Sequence, residues 1–390
     1  MVLSAKQKIK IAIVAGEESG DVLASNLIKS FKNLVASDIE IIGIGGSRLI
    51  KEGLIPSFPM EILSIGGYGL DVVMAVPKIL YLRQKLIKQI IAFKPDVFIG
   101  VDAPDFNLYV EKKLKAVGIK TVHYVSPTIW AWRYNRIFKI KKAVDLVLCV
   151  FPFEVAIYNK EQVPAKFIGH HLADQIPIDI DILKSREKIM DSKFLTSDKV
   201  FTILVGSRKS EIESLGQIFI ETCNIIARHV ENAFFLFPLV NENSKEIFQN
   251  ILNTLAINFN YQVLVNQTSD AIKAANIVLA KSGTVTLEVA LCKKPLIISY
   301  KVSKFTEWMI RRKMLINYVG LPNILLNEEV APELLQDDAN PRDLASNVID
   351  LFHDKVRQTY VVHKFYELHH TLLQDASKSA ANSVLEIISS

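Results

Sequence analysis

The most constraining feature of this sequence is an alternation of short apolar runs with longer segments of helical periodicity, which occurs in both halves of the chain. The runs predicted to be strands are residues 11–15, 39–44, 97–101, 120–125, 146–150, 200–204, 233–237, 261–265, 277–280 and 295–299. The segments predicted to be helices are residues 19–34, 76–93, 211–229 and 284–291, together with the tail from Asp343 onward. Strands that alternate with helices form a parallel sheet covered by helices, so the chain is predicted to be an α/β protein.

The segment 168–181 interrupts this alternation and divides the chain. A length of 390 residues is too great for one ordinary core and suits two. We therefore expect a Rossmann-like domain over residues 1–170 and a second one over residues 171–364. A C-terminal helix over about residues 365–390 is expected to pack back on the first domain.

Composition limits the class of protein. A hydrophobic fraction of 50% and a charged fraction of 22% are typical of a globular chain. No apolar run approaches the roughly 18 residues of a membrane span, and the first residues lack the pattern of a signal peptide, so a cytoplasmic location is expected. A net charge of +5 suits a phosphate-rich ligand or an anionic membrane surface, and nucleic acid is not expected as a partner.

Neither a metal ion nor a cofactor is predicted. His170 and His171 are adjacent, would point to opposite sides of a strand, and have no evident third ligand. Asp179 and Asp181 form an Asp-x-Asp triplet, but they lie in the connecting segment, so we interpret them as part of a linker. Cys149, Cys223 and Cys292 match no zinc or redox spacing, so they are predicted to be buried thiols rather than metal ligands.

Two polar turns follow predicted strands of the first domain. Gly16, Glu17 and Ser19 lie in the first turn, where the pattern alone favours a structural role and the carboxylates suggest sugar hydroxyls rather than phosphate. Asp102 follows the strand 97–101, at the edge where α/β sheets bind ligands, and is a candidate general base that partial burial would favour. The alternative is that Asp102 or Asp105 caps the next helix; Asp105 and Asn107 are interpreted as structural.

Two further turns of this kind occur in the second domain. Gly206, Ser207 and Arg208 combine a glycine turn, a helix start and a cation, which together suit a diphosphate leaving group. The alternative is a capped helix with a solvated Arg-Lys pair.

The second of these turns contains Ser282, Gly283 and Thr284, which offer backbone amides and hydroxyls to a diphosphate. Glu288 lies one helical turn after Thr284 on the same face, where its carboxylate can accept the two ribose hydroxyls. The alternative is an exposed helix residue.

Basic and aromatic residues form three local clusters. They comprise Trp130, Trp132, Arg133, Tyr134 and Arg136; then Trp308, Arg311, Arg312 and Lys313; and finally Lys78, Arg83, Lys85 and Lys88. Together with the apolar segment 65–76 they favour contact with a membrane surface, whereas any one cluster alone reads as a solvated face.

Taken in order, these motifs resemble the lipid-A-disaccharide synthase family over about residues 11–336. The matching stretches are residues 16–21, 43–46, 102–107, 124–127, 130–133, 151–154, 169–170, 206–208, 282–288 and 321–323. The stretch Ser-Pro-x-x-Trp-Ala-Trp-Arg, which begins at Ser126, is the most specific of them. Glu18, His171 and Val205 depart from the family pattern. Glu18 adds charge on the acceptor side and can alter acceptor fit, while His171 and Val205 put the loop geometry, but not the chemistry, in doubt.

The resemblance implies a GT-B fold, in which two Rossmann-like domains face each other across a cleft, and a metal-independent, inverting glycosyltransferase. The family transfers 2,3-diacylglucosamine from its UDP form to the 6-hydroxyl of 2,3-diacylglucosamine 1-phosphate, at the cytoplasmic face of the inner membrane. A homodimer is left open.

The resemblance also implies roles for single residues. Asp102 corresponds to the base, Arg208 and Asn323 to donor-phosphate or catalytic residues, and Glu288 to the ribose contact. The acceptor-side positions are Gly16, Glu17, Ser19, Ser126 and Trp130.

Two alternative interpretations of the function remain open at this point. One is a different UDP-sugar enzyme of the same architecture, either a muramyl-lipid N-acetylglucosaminyltransferase or a UDP-sugar 2-epimerase. The other is a basic scaffold that binds lipid or nucleic acid without catalysis, which predicts no affinity for UDP.

Overall fold

The chain folds into two compact units. The computed structural model describes residues 8–63, 70–191, 194–197, 199–302, 307 and 315–390, with the backbone alone for residues 70–76. Unit 1 consists of Met1–Asp174 and Leu372–Ser390, and unit 2 of Gln175–Thr371.

Unit 1 is built on a seven-stranded parallel sheet with the order β3-β2-β1-β4-β5-β6-β7. Its strands are β1 (Lys8–Ala15), β2 (Asp38–Ile44), β3 (Leu54–Pro56), β4 (Val97–Val101), β5 (Lys120–Tyr124), β6 (Leu146–Cys149) and β7 (Ala165–Phe167). Its helices are α1 (Glu18–Leu34), α2 (Ser47–Lys51), α3 (Leu70–Phe93), α4 (Pro104–Lys115), α5 (Ile137–Lys141), α6 (Pro152–Lys160) and α7 (His171–Gln175), which ends one residue inside unit 2.

Unit 2 is built on a six-stranded parallel sheet with the order β10-β9-β8-β11-β12-β13. Its strands are β8 (Val200–Leu204), β9 (Phe234–Leu239), β10 (Asn260–Val265), β11 (Ile277–Lys281), β12 (Leu296–Tyr300) and β13 (Glu333–Leu335). Its helices are α8 (Ile182–Glu187), α9 (Lys209–His229), α10 (Glu242–Asn253), α11 (Thr268–Ala274), α12 (Val285–Leu291), α13 (Leu321–Leu326), α14 (Pro341–His353) and α15 (Lys355–Leu372). The last helix, α16 (Ala376–Ser389), returns to unit 1 and packs on α1.

The sheets explain why the strands read as continuous apolar runs. All five residues of β4 and all five of β8 are buried, because helices cover both faces of each sheet. The free cysteines Cys149, Cys223 and Cys292 are buried in these interiors, as predicted.

The start of α3 differs from the prediction. The sequence predicts a helix that begins at residue 76, but the helix begins at Leu70, so Pro77 lies in its interior. Proline lacks the amide that would bond to the preceding turn, so the helix continues across Pro77 without that hydrogen bond. In the described part of the chain, no helix is long and apolar enough to span a membrane.

Each sheet has a switch point in its strand order. β1 lies beside β4 in unit 1, and β8 lies beside β11 in unit 2, while the chain winds outward in opposite directions from each pair. Ligands of open α/β sheets bind outside the carboxyl ends of the strands at such points. The turns after β1 and β4, and those after β8 and β11, are therefore the places to look for a site in each unit.

Candidate functional site

Two turns at the carboxyl edge of the unit 2 sheet line a pocket of about 300 Å³. The predicted donor-side residues that line it are Gly206, Ser207 and Arg208 after β8, and Ser282, Gly283 and Thr284 after β11. Glu211 and Lys281 also line the pocket, although the sequence reasoning assigned them no role. The switch point of this sheet thus brings together residues that are about 75 positions apart in the sequence.

Glu211 changes the expected chemistry of the glycine turn. Its carboxylate accepts hydrogen bonds from the backbone amides of Ser207 at 2.9 Å and Arg208 at 3.2 Å, which caps the start of α9. Gly206 has φ = +115°, and a Cβ there would lie 2.6 Å from the carboxylate. The amides of this turn, which were predicted to serve a phosphate, are already bonded within the protein.

Lys281 holds Glu211 in its charged form. Its Nζ lies 2.8 Å from Oε1 of Glu211, and Nη1 of Arg208 lies 3.8 Å from the same oxygen. Burial opposes ionisation of Glu211, but Lys281 and the two backbone amides outweigh it and lower the pKa of this carboxyl. With two cations and one anion among these side chains, the pocket keeps a net positive charge that suits an anionic ligand.

The turn after β11 provides donors that are still available. The amides of Gly283 and Thr284 are exposed, and neither donates to any residue that the structure describes. The hydroxyl of Ser282 is different, since it donates to the carbonyl of Val319 at 2.9 Å. A ligand here therefore meets the two amides and the Arg208 side chain, which is 80% exposed.

Glu288 is not among the residues that line this pocket. It is half-buried on α12; burial raises the pKa of its carboxyl, while a hydrogen bond from Ser269 and the charge of Lys273 act in the opposite direction. The exposed-residue alternative is wrong for this position, and the ribose contact stays a prediction.

Asn323 is completely buried at the start of α13. Its Nδ2 donates to the carbonyl of Ala331 at 2.7 Å and to Glu333 at 2.8 Å. Its Oδ1 accepts from the amides of Val330 and Ala331 at 3.0 and 2.9 Å. Every hydrogen-bonding position of the amide is used inside the protein, so direct contact with a donor would require one of these bonds to break.

Asp102 lies on a strained turn at the switch point of unit 1. Asp102 and Ala103 have φ values of +49° and +43°, a conformation that residues other than glycine rarely adopt. The Asp102 amide donates to the carbonyl of Tyr124 at 2.8 Å, and Asn107 Nδ2 donates to the carbonyl of Asp102 at 2.8 Å. The Asp102 side chain is exposed, so the partial burial that would favour a general base is not found.

Asn107 and Asp105, which were both interpreted as structural, have different partners. Asn107 is buried and also bonds to the carbonyl of Val101 at 3.2 Å, so it holds the strand end and the turn together. Asp105 forms an ion pair with Arg136. The capping alternative is wrong, because the N-cap position of α4 is Ala103 and no side chain caps it.

The first glycine turn lies against the Asp102 turn. Gly16 is buried, and a Cβ on it would lie 3.4 Å from Cβ of Ala103. Glu17 and Ser19 are exposed at the start of α1. These side chains and Asp102 therefore occupy the same edge of the unit 1 sheet.

The last residue of that motif, Asp21, is structural. It is 2% exposed and accepts hydrogen bonds from the amides of Gly46, Arg48 and Leu49 at 2.7, 3.0 and 3.2 Å. Asp21 therefore fixes the second glycine turn at the start of α2.

Ser126 and Trp130 follow β5, the strand beside β4, and both are buried. The Ser126 hydroxyl lies 3.0 Å from that of Tyr158, and the indole Nε1 of Trp130 donates to Glu154 at 3.0 Å. Their polar atoms are thus bonded inside unit 1. The sequence reasoning missed Glu154, although it quoted the motif that contains it.

The paired histidines are not arranged as predicted. His171 begins α7 instead of continuing a strand, and the rings of His170 and His171 stack with centroids 4.9 Å apart. Asp181 caps α8 through the amide of Lys184, and Asp179 accepts from the hydroxyl of Tyr366. The carboxylates of the Asp-x-Asp triplet therefore have structural partners.

Only some of the basic side chains predicted to contact a membrane are exposed. Lys78, Lys85 and Lys88 are exposed on α3 beside the exposed Leu80, whereas Arg83 lies over the ring of Tyr109 at 3.8 Å. The cluster formed by Trp308, Arg311, Arg312 and Lys313 lies outside the described residues, as do residues 65–69 and the side chains of residues 70–76.

Comparison with known proteins identifies the family of the sequence. Residues 11–388 match the family described as lipid-A-disaccharide synthetase. The lipid-A-disaccharide synthase of Dechloromonas aromatica (strain RCB) is 44% identical, with 97% of this chain and 99% of that protein covered. The lipid-A-disaccharide synthase of Chromobacterium violaceum is 43% identical, with 98% of each chain covered.

Solved structures agree on the fold. A UDP-GlcNAc 2-epimerase from Neisseria meningitidis, bound to UDP-GlcNAc, is similar with a TM-score of 0.62 and 13% identity, over 97% of this chain and 100% of that one. The S. aureus MnaA–UDP structure is similar with a TM-score of 0.61 and 13% identity, over 97% and 95% of the two chains. At this identity the likeness concerns the fold alone, which is of the predicted GT-B type.

Proposed function

The chain belongs to the lipid-A-disaccharide synthase family of glycosyltransferases, and from this premise we propose its substrates and its stereochemistry. The donor is UDP-2,3-diacylglucosamine and the acceptor is 2,3-diacylglucosamine 1-phosphate. The products are the β-1,6-linked disaccharide 1-phosphate and UDP, and the anomeric centre is inverted.

The observation that supports this function most strongly is the basic pocket at the switch point of unit 2. Arg208 is exposed there, and the free amides of Gly283 and Thr284 point to an anion rather than to a neutral sugar. As the bond between the anomeric carbon and the phosphate oxygen breaks, negative charge develops on UDP. Donors and cations placed in advance stabilise that charge and so lower the barrier.

The acceptor is activated by Asp102 in this scheme. In an inverting transfer the 6-hydroxyl attacks the anomeric carbon in one displacement, and its proton moves to a base as the new C–O bond forms. Within the described residues, the Asp102 carboxylate makes no hydrogen bond or ion pair, so it is available to accept that proton. The strained backbone at Asp102 and Ala103 supports the same role, because strain of this kind concentrates at active sites.

The acylated substrates suit an enzyme that works at the cytoplasmic face of the inner membrane. The exposed lysines of α3 can attract anionic lipid, while Leu80 and Tyr81, which are 44% and 67% exposed, can enter the interfacial region. Membrane association is therefore part of the proposal.

Product analysis tests the proposal. The purified protein is incubated with both lipids, and the product is identified by mass spectrometry and by the anomeric coupling constant. A β-linked disaccharide 1-phosphate is expected, together with one UDP per turnover. Conversion of UDP-N-acetylglucosamine alone would instead favour an epimerase, and transfer to a muramyl lipid would favour the other transferase.

The role of Asp102 is tested with a matched pair of variants. Asp102→Asn is expected to lower kcat by about a hundredfold or more, the range that a general base contributes. Asp105→Asn, three residues away, changes a carboxylate that is exposed and paired with Arg136, and because exposed ion pairs contribute little it is expected to stay within about twofold of wild type. Turnover of Asp102→Asn near that of wild type would remove Asp102 as the base.

A further inference from the structure

Glu154 is a buried carboxylate that the reaction scheme above does not use. It lies in the first turn of α6 and is 1% exposed. Its Oε2 accepts from the amide of Phe151 at 3.1 Å, which caps the helix. Helix capping accounts for the hydrogen bond to Oε2. It does not account for the nearly complete burial of the side chain, since glutamates are normally exposed to water.

The other oxygen of Glu154 connects α6 to the loop after β5. Its Oε1 accepts from the indole Nε1 of Trp130 at 3.0 Å. The Ser126 hydroxyl lies 3.0 Å from that of Tyr158, which is also on α6. Ser126 and Trp130 both belong to the most specific sequence stretch in the chain. Helix α6 thus contacts two separate positions of that loop, which we call the 125–136 loop, and Glu154 makes the contact at Trp130.

The 125–136 loop begins in an unfavourable conformation. Val125 has φ = +74°, which is an outlier for a β-branched residue, so the surrounding contacts must impose it. Its amide donates to the carbonyl of Leu148 on β6 at 3.1 Å. On the other side, the carbonyl of Tyr124 accepts the amide of Asp102. The start of the loop is therefore hydrogen-bonded, through consecutive strand ends, to the turn that carries Asp102.

Aromatic side chains separate this cluster from water. The rings of Trp130 and Phe153 meet edge to face at 5.3 Å, and Phe151 stacks between Phe153 and His170 at 6.0 and 5.6 Å. In such surroundings the bonds from Trp130 and from the Phe151 amide to a charged acceptor are stronger than in water.

We propose that Glu154 is a positioning residue for the acceptor side of the reaction: its carboxylate, bonded to Trp130 and to the start of α6, holds the 125–136 loop beside the Asp102 turn. The inference rests on the proposed function, because the benefit of a fixed loop is the placement of the acceptor sugar. Glu154 does not itself touch substrate.

The protonation state of Glu154 matters because its hydrogen-bond partners, the indole N–H of Trp130 and the backbone amide of Phe151, can only donate. Burial raises the pKa of Glu154 to about 7, although hydrogen bonds from the amide of Phe151, from Ser126, from Trp130 and from the Val150 amide favour the charged form. Protonation places an O–H donor opposite groups that can only donate, so the hydrogen bonds that hold the loop become weaker. The ionised, competent form should therefore be lost as the pH falls below about 7.

The neighbouring titratable groups do not change charge in this range. Among the described residues, those that act on the cluster are Cys149 of β6 and Tyr158 of α6, and burial raises the pKa of both, so both are neutral. His170, which packs on Phe151, has a pKa lowered to about 3 by burial and by His171, so it too is neutral. Glu154 alone in this group titrates near neutral pH.

The first test is the pH profile of kcat/KM for the acceptor. In the wild type an acid limb with an apparent pKa near 7 is expected. Glu154→Gln keeps the shape but not the charge, so at pH 8 its kcat/KM should fall about tenfold and its acid limb should disappear. Trp130→Phe removes one donor to the ionised form, so its acid limb should move to higher pH.

A matched pair of controls lies at the other end of α6. Glu161 accepts a hydrogen bond from Tyr134 of the same loop at 2.7 Å, but that pair is more exposed. Glu161→Gln and Tyr134→Phe should leave the profile of the wild type unmoved. If Glu154→Gln retains the acid limb, or if the controls abolish it equally, the inference is wrong.

A second measurement needs no substrate. With ¹⁵N-labelled tryptophan, the indole resonance of Trp130, identified by its loss in Trp130→Phe, should titrate near pH 7 in the wild type and be constant in Glu154→Gln. An indole resonance that does not titrate in the wild type overturns the inference even if the enzyme is active. Failure of the wild type to form the disaccharide, with the titration present, would instead overturn the proposed function.

Discussion

The charges around the unit 2 pocket allow a quantitative prediction for Lys281→Met. The wild-type pocket has two cations, Arg208 and Lys281, and one anion, Glu211, whose Oε1 lies 2.8 Å from Nζ of Lys281. Removing Lys281 takes the net charge of these three side chains from positive to zero. Coulomb's law gives about 1.4 kcal/mol per pair of unit charges at a separation of about 6 Å and an effective dielectric constant of about 40.

That energy corresponds to an affinity for UDP about tenfold weaker in Lys281→Met, and more if Glu211 then repels both phosphates. Isothermal titration calorimetry with UDP at low salt measures it directly. The double variant Lys281→Met/Glu211→Gln restores the net positive charge and should recover a large part of the affinity. The control is Lys209→Met, because Lys209 lies beside Arg208, pairs with Glu213 at 3.7 Å and does not line the pocket.

The reasoning is refuted if Lys281→Met binds UDP within twofold of wild type, or if the double variant binds no better than the single one. Either result would mean that the phosphates lie elsewhere or that Lys281 serves only the fold.

Three other predictions follow from buried contacts. Asn323→Ala should lower the free energy of unfolding by about 3 kcal/mol, measured in urea, because it leaves two backbone amides, a carbonyl and Glu333 without their partner; a loss below about 1 kcal/mol would show that water replaces the side chain. Gly206→Ala should weaken UDP binding by disrupting the turn, since φ = +115° and the Glu211 carboxylate both exclude a Cβ; unchanged affinity would contradict this. Burial raises the pKa of Glu154 from 4.5 to about 7, so the folded state retains a proton that the unfolded state releases. The contribution of this carboxyl to stability is therefore fully present below about pH 4.5 and is lost as the pH rises through about 7. Urea unfolding across this pH range should show the loss in the wild type but not in Glu154→Gln, and an unaltered curve would argue against it.

The strands of both sheets were predictable where helices cover them on both faces. The predicted bounds of β4 and β8 are those observed, because every residue of these strands is buried and, apart from Thr202, apolar. β3, β7 and β13 were missed, since each is only three residues long and none of them has more than one buried residue. Such short pieces have no periodicity, and only their pairing with a neighbouring strand defines them.

The sequence predicted which turns form the candidate sites, but it did not predict the hydrogen bonds made within them. The turns at Gly206 and Ser282 follow strands at a topological switch point, a placement that pattern and chain order imply. The competition of Glu211 for the turn amides was within reach, because an acidic residue at the third helical position is a known capping pattern. The burial of Asn323 was not predictable, because its hydrogen-bond partners lie in residues 330–333 and no sequence pattern links those residues to Asn323.

The path of the chain between the units has a consequence for truncation. The chain leaves unit 1 after Asp174 and returns to it at Leu372, and the carboxylate of Asp174 accepts the amides of Asp375 and Ala376 at 3.0 and 2.6 Å. Unit 2 is in effect an insertion within unit 1. A protein that stops at Thr371 would keep the whole of unit 2 but expose the apolar side of α1, so loss of the last nineteen residues should damage unit 1, which carries Asp102, first.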